Sequence, residues 1–333
     1  MEIIDRDTFF KLTSTFEIVP HSQTRGIYNF HTIGGEDKIR FFVNDKANPT
    51  IACMGHEKRM LTKKMLLIEG ECYLSKTDFE NRKKTNQYIS TLSDFYTKKI
   101  NLKFDIIEIV SNTKWNFHYE TALRLAGFLR PIGTFSFPST KIIDLKKPID
   151  YDRNWSRNLK KSEIYDLNLE ILINPNEKDC MVFCSIYNAM CNRKMLTNQL
   201  TTQQIFHLCS DARFKLFFVS CEGERIATII VYTDEKKLFS EGIFAGSTNK
   251  ALETHATFFM YDSVFRYLKE QSYAFYDMAK LIPTTIGHKV FQFKNGILGD
   301  SIPLNGEFSW CKKQYYRPFM YFVKKYLMKK REL

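Results

Sequence analysis

The sequence predicts a mixed α/β fold in which one unit is built twice, and three observations carry that prediction. Each half of the chain holds a run of strands joined by a tight turn; a helix-patterned segment follows each run; a short apolar strand follows each helix. In the first half, RFFVNDKANPTIACMG and then KKMLLIEG read as a strand, a turn at Asn44 to Pro49, and two further strands. In the second half, LFFVSCEGERIATIIVY and KLFSEGIFAG repeat the order, with the turn at Glu222 to Glu224, so that Phe41-Phe42-Val43 and Phe217-Phe218-Val219 are counterparts. The helix patterns run from Asp78 to Lys99 and from His255 to Gln271, and the strands after them are FDIIEIV and AFYDMA. Each half then adds a helix-like stretch and a glycine, TALRLAGF in the first and GHKVFQFKNG in the second.

At 333 residues, 44% apolar and with 29 phenylalanines, the chain has the material for two cores and lacks the composition of a disordered segment. It shows no basic-then-apolar leader, and no apolar run approaches the roughly 20 residues that cross a bilayer. A soluble, cytoplasmic protein is expected. Its eight cysteines are scattered, and Cys180 and Cys184 lack partners at zinc-finger spacing, so buried free thiols are expected and no metal site.

The formal charge of +12 is unevenly placed. From Lys312 to Leu333 there are eight Lys or Arg and one Glu, a net of +7, which leaves +5 for the rest. Tyr315, Phe319, Val323, Tyr326 and Leu327 recur there at intervals of three to four, the spacing of an amphipathic helix. Such a helix packs its aromatic stripe on the body and turns its lysines to water. It also suits an anionic surface, phospholipid head groups or nucleic-acid phosphate.

The order strand, strand, strand, helix, strand resembles the GNAT acyltransferase fold. The segment between the halves is more specific. Gly127-Phe128, Thr140, Asp144-Leu145, Arg157-Asn158 and Lys160-Lys161 follow one another as they do at the junction of the FemABX family, the peptidoglycan-bridge aminoacyltransferases and their relatives. The second half resembles the same family in Gly287, Phe293-Lys294, Gly296 and Gly299, and PHSQT, which contains Gln23, resembles its opening. The chain departs from the family at Ser162 to Asp166 and at Ile297-Leu298, and no heptad run between Glu170 and Phe214 provides the coiled-coil arm of some members. The resemblance implies tandem GNAT-like domains with mixed central sheets: 1–148, 149–310 with the Phe-Lys motif, and a basic aromatic helix over 311–333.

Acyl transfer passes through a tetrahedral oxyanion, and a fixed cation beside that oxygen lowers the barrier by about 3 kcal/mol. Lys294, flanked by Val290, Phe291 and Phe293, suits that role, and the resemblance assigns it there, with Phe293 positioning the acyl or acceptor group. Arg157 offers a fork for phosphate, Lys160 and Lys161 point charges, and Arg25 beside Gln23 a cation for the first half. Gly287 and His288 complete the substrate-binding candidates. Asp277, Tyr276, His255 and His288 are the candidate bases.

A coenzyme A enzyme of the GNAT type carries a phosphate-binding glycine loop after its central strand. Here that region is GIFAGSTNKALETHATFF, with Gly242 and Gly246 at a different spacing. This argues against acetyl-CoA and leaves the donor open between aminoacyl-tRNA and another activated acyl carrier, acyl-CoA included, with no bound cofactor. The expected function is transfer of an activated acyl or aminoacyl group to an amine or hydroxyl of a cell-envelope precursor, the tail touching the membrane surface. A CoA-dependent N-acyltransferase acting on sugar amines, and a non-catalytic module binding tRNA or anionic glycan, are the alternatives.

Overall fold

A computed structural model of the protein describes residues 1–33, 38–98, 102–133, 139–279 and 289–332, with side chains through residue 326. The chain divides into two units, Met1–Pro138 with Pro303–Glu332, and Ser139–Ile302.

The first unit begins with β1 (Glu2–Ile4), α1 (Arg6–Thr13) and α2 (Arg25–Thr32). A hairpin of β2 (Lys38–Val43) and β3 (Ile51–Met60) follows, then β4 (Lys63–Ile68), β5 (Cys72–Tyr73), α3 (Arg82–Thr97), β6 (Ile106–Lys114) and α4 (Phe117–Leu125). The β2–β3 loop closes on Asn44, whose side-chain oxygen accepts from the amides of Thr50 and Ile51 at 2.9 Å each. Asn81 caps α3 by accepting from Lys83 and Lys84 N–H, which stops the helix short of the Asp78 start read from sequence. The aliphatic face of the sheet, with Phe42, Leu66, Ile107 and Ile109, buries against Leu92, Phe95 and Tyr96 of α3 and Leu123 of α4.

The second unit contains β7 (Ser139–Asp144), α5 (Arg153–Ser162), β8 (Leu167–Leu172), α6 (Glu177–Arg193), α7 (Thr202–Cys209), β9 (Phe214–Cys221), β10 (Glu224–Thr233) and β11 (Phe239–Ser247). After these come α8 (Asn249–Glu253), α9 (Ala256–Glu270), β12 (Phe275–Asp277) and α10 (Lys289–Asn295). Glu222 and Gly223, with φ of 53° and 80°, form the left-handed pair that a two-residue hairpin needs between β9 and β10. Ala227, Ile229 and Val231 of β10 pack on Met260, Val264 and Phe265 of α9. The last two elements, β13 (Asp300–Cys311) and α11 (Tyr316–Glu332), return the chain to the first unit.

The two sheets have the same pattern. The first runs β1-β2-β3-β4-β6-β13, with β4 and β6 parallel and the other neighbours antiparallel. The second runs β8-β9-β10-β11-β12-β7, with β11 and β12 parallel and the rest antiparallel. This is the duplicated mixed α/β unit expected from the sequence. The strand that closes each sheet, however, lies outside its repeat: β13 follows the second repeat and pairs with β6, while β7 follows the first and pairs with β12. The division therefore falls at 138 rather than 148, and residues 303–310 and the terminal helix count with the first unit.

The terminal helix α11 packs through a different stripe from the one its spacing suggested. Tyr316 and Met320 are buried beside Met65, Ile106 and Cys311, whereas Tyr315, Phe322 and Tyr326 are more than 60% exposed. The reason is electrostatic. Glu108 of β6 is buried, and Lys324, one helical turn beyond Met320, forms an ion pair with it and reaches Glu307 of β13 at 3.9 Å. All eight cysteines are buried free thiols. Among the described residues no helix is long and apolar enough to cross a membrane.

Candidate active site

The chemistry-bearing side chains of the second unit gather at the carboxyl end of β12. This strand lies between β11 and β7, so Asp277 is in register with Glu241 on one side and Ile142 on the other. The Thr140 hydroxyl donates to Asp277 Oδ1, as does the Ala279 amide at 2.7 Å. Asp277 is 6% exposed, and burial together with the Glu241 charge raises its pKa from 3.8 to about 7, against the opposing pull of Thr140, Ala279 and the Lys294 ammonium. Ala279 itself has φ of +50°, a left-handed conformation uncommon for a residue with a Cβ.

Lys294 lies in the last turn of α10 and donates to the Ala279 carbonyl oxygen. The ammonium and the Asp277 carboxyl thus bracket one short stretch of backbone. What aims Lys294 there is its neighbour. Phe293 packs against Trp155, Phe258 and Tyr261, with ring centroids 5.9, 5.2 and 5.2 Å away, which fastens α10 to α5 and α9. Phe293 is thus an anchor in an aromatic cluster, where the sequence reading made it a positioner of the transferred group.

The end of α10 is held by a cation that the sequence reading missed. Lys141 of β7 is 3% exposed and donates to Asn295 O at 3.0 Å, Asn295 Oδ1 at 3.2 Å and Ile297 O at 2.8 Å. Burial lowers its pKa below the ordinary lysine value of 10.5. The Asp152 amide donates to Gly296 O at 2.7 Å and the Leu298 amide to Asp150 O at 2.9 Å, so the turn after Lys294 is tied down on both sides. The signal was available: in STKIID, the alternation of a strand places Lys141 on the same face as Ile143, inside.

Beside this site, β11 bulges. Ile230 pairs with Phe244 and Val231 with Gly242, leaving Ile243 unopposed. Gly242 permits the approach of Tyr276, because a Cβ there would meet the phenol oxygen at 2.5 Å. Among the described residues that fully buried hydroxyl has no hydrogen-bond partner, and neither has Trp155 Nε1. Burial raises the Tyr276 pKa well above 10, which removes it from the candidate bases. His255 is the amino-terminal cap residue of α9, and burial and the charge of Lys161 lower its pKa.

Arg157 is exposed and donates to Asn154 on its own helix at 2.9 Å. Lys160 and Lys161 are exposed in the last turn of α5, where the helix dipole favours cations. Gln23 and Arg25 belong to the first unit. Gln23 is 1% exposed; its amide accepts from Met54 N at 2.6 Å and donates to Met54 O and Glu69 O at 3.2 Å each, so it clamps backbone. Arg25 stacks over Phe10 at 4.8 Å. Gly287 and His288 lie outside the described residues.

No family model and no curated protein match the chain. Solved structures do. The crystal structure of FemX is similar over 97% of this chain and 100% of its own, with a TM-score of 0.69 and 12% identity. L-PGS from Bacillus licheniformis is similar over 97% of both chains, with a TM-score of 0.65 and 10% identity. The C-terminal domain of an Agrobacterium fabrum protein assigned as a lysylphosphatidylglycerol synthetase covers 94% of this chain and 95% of its own, with a TM-score of 0.62 and 10% identity. The chain has the FemX-like fold over nearly its whole length.

Proposed function

We propose that the protein is an acyl or aminoacyl transferase that moves an activated acyl group to an amine or hydroxyl of a cell-envelope precursor. One observation carries this reading: the Lys294 ammonium and the Asp277 carboxyl, the latter with a pKa of about 7, meet on the backbone from Asp277 to Ala279. In acyl transfer an acceptor amine adds to the carbonyl carbon of an ester or thioester, the C–N bond forms, and the carbonyl electrons move to oxygen. That oxyanion is a stronger acceptor than the Ala279 amide carbonyl and competes for the same ammonium. Asp277, poised near neutral pH, takes the proton that the attacking nitrogen sheds and returns it to the departing oxygen or sulfur as the C–O or C–S bond breaks, so that collapse of the intermediate releases the alcohol or thiol.

The name of one protein with this fold, a lysylphosphatidylglycerol synthetase, supports an aminoacyl group as the group transferred and a membrane-lipid component as the acceptor. The exposed Tyr315, Phe322 and Tyr326 on a terminal segment of net charge +7 support peripheral contact with an anionic membrane surface on the cytoplasmic side. The test compares transfer of labelled amino acid from charged tRNA and of labelled acyl group from acyl-CoA to envelope-precursor extract. Wild-type protein forms product from the charged tRNA, and Lys294→Met forms it about 10²- to 10³-fold more slowly while unfolding at the same temperature. Product from acyl-CoA alone would move the donor assignment to coenzyme A. Absence of product from both donors would leave a binding module.

A further inference from the structure

We infer that the first unit carries a divalent-metal site, fitted to zinc, formed by His31, His56 and Glu69. Two of the chain's seven histidines meet here. His31 lies in the last turn of α2 and His56 in β3, with ring centroids 4.5 Å apart at 69°, and Glu69 follows the end of β4. One ligand atom from each of the three lies within 4.8 Å of the others. Tetrahedral zinc at bond lengths of 2.0–2.2 Å needs its ligand atoms about 3.3 Å apart, a contraction that side-chain torsions supply. Two imidazoles and one carboxylate suit zinc in softness, and a three-ligand set leaves the fourth position to water.

The backbone around the three residues is built to hold them. Ahead of α2, the Ser22 hydroxyl and the Gln23 amide both donate to Glu69 O, and Gln23 also pairs with both backbone polar groups of Met54, two residues before His56. The Gln23 clamp therefore sets the start of α2, β3 and Glu69 relative to one another, and Gly70, with φ of +76°, turns the chain immediately after the carboxylate. A metal bound here fastens the far end of α2 to the same two elements. The site is separate from the Lys294 cluster and stands or falls independently of the transferase reading.

The test uses the full chain, stripped with chelator, dialysed and titrated with zinc in competition with a chromogenic chelator, alongside His31→Ala and Glu69→Gln. The expected result is one zinc per chain, with affinity falling about 100-fold or more in each variant, since loss of a mere supporting partner already costs about 10- to 100-fold. A cobalt-loaded sample should show a tetrahedral spectrum without thiolate charge transfer. Glu69→Gln leaves the Glu69 carbonyl contacts intact, so it decides the matter even where His31→Ala folds poorly. Substoichiometric zinc, unchanged affinity in Glu69→Gln, or a thiolate band that assigns the metal to cysteine would each overturn the inference.

Discussion

Asp277→Asn should make the second unit more stable at alkaline pH while abolishing the proposed proton transfer. The native carboxyl titrates near 7 instead of 3.8, so between those values the folded chain holds a proton that the unfolded chain has released. Stability therefore declines as pH rises through this window. A rise from 3.8 to about 7 corresponds to a total of about 4 kcal/mol, more than half of which falls between pH 5 and pH 8. Asparagine keeps an oxygen to accept from Thr140 and Ala279 but cannot ionise. The variant should lack this slope, and wild type should lose roughly 5–10 °C relative to it across the same range. Thermal or urea unfolding at pH 5, 6, 7 and 8 reads the difference directly. Parallel pH profiles for the two proteins would refute the argument, because they would mean that the folded site keeps Asp277 ionised as readily as water does.

Two further outcomes follow from the supports of the site and from the tail. Lys141→Met removes the donor shared by Asn295 and Ile297; a loss of about 2–3 kcal/mol and faster amide exchange across residues 289–299 are expected, and unchanged exchange would show that Lys141 does not hold α10. Phe322→Ser combined with Tyr326→Ser should weaken co-sedimentation with anionic vesicles by about tenfold without altering the fold, as both rings are mostly exposed. Equal binding by wild type and the double variant would assign any vesicle affinity to the lysines alone.

The duplicated unit could be read in the sequence because it is a local pattern. Alternating apolar strands, the Glu222–Gly223 turn and the 3.6-residue period of α9 each arise from neighbours in the chain. Lys294 could be singled out for the same reason, as a cation in an aromatic run before a glycine turn. The environment that decides its chemistry could not. Asp277 acquires its raised pKa from burial within the sheet and from Glu241, a residue 36 positions away brought alongside by parallel pairing of β11 and β12. The buried stripe of α11 was misread because amphipathic spacing does not reveal that the body of the unit holds a buried Glu108, which draws Lys324 inward and turns the helix.

The closing strands mark the boundary most clearly. STKIID has the alternation of a strand, DSIPLNGEFSWC carries the Asp, Pro, Asn and Gly that strands disfavour, and nothing local tells either segment which edge it will join. Backbone hydrogen bonds are the same for any partner, so the choice rests on side-chain burial and on the reach of the connecting segments. The sequence by itself determined that a three-strand, helix, strand unit occurs twice. Only the tertiary structure decided that each sheet is completed by the strand that follows the other repeat, which brings Thr140 and Lys141 to Asp277 and the end of α10.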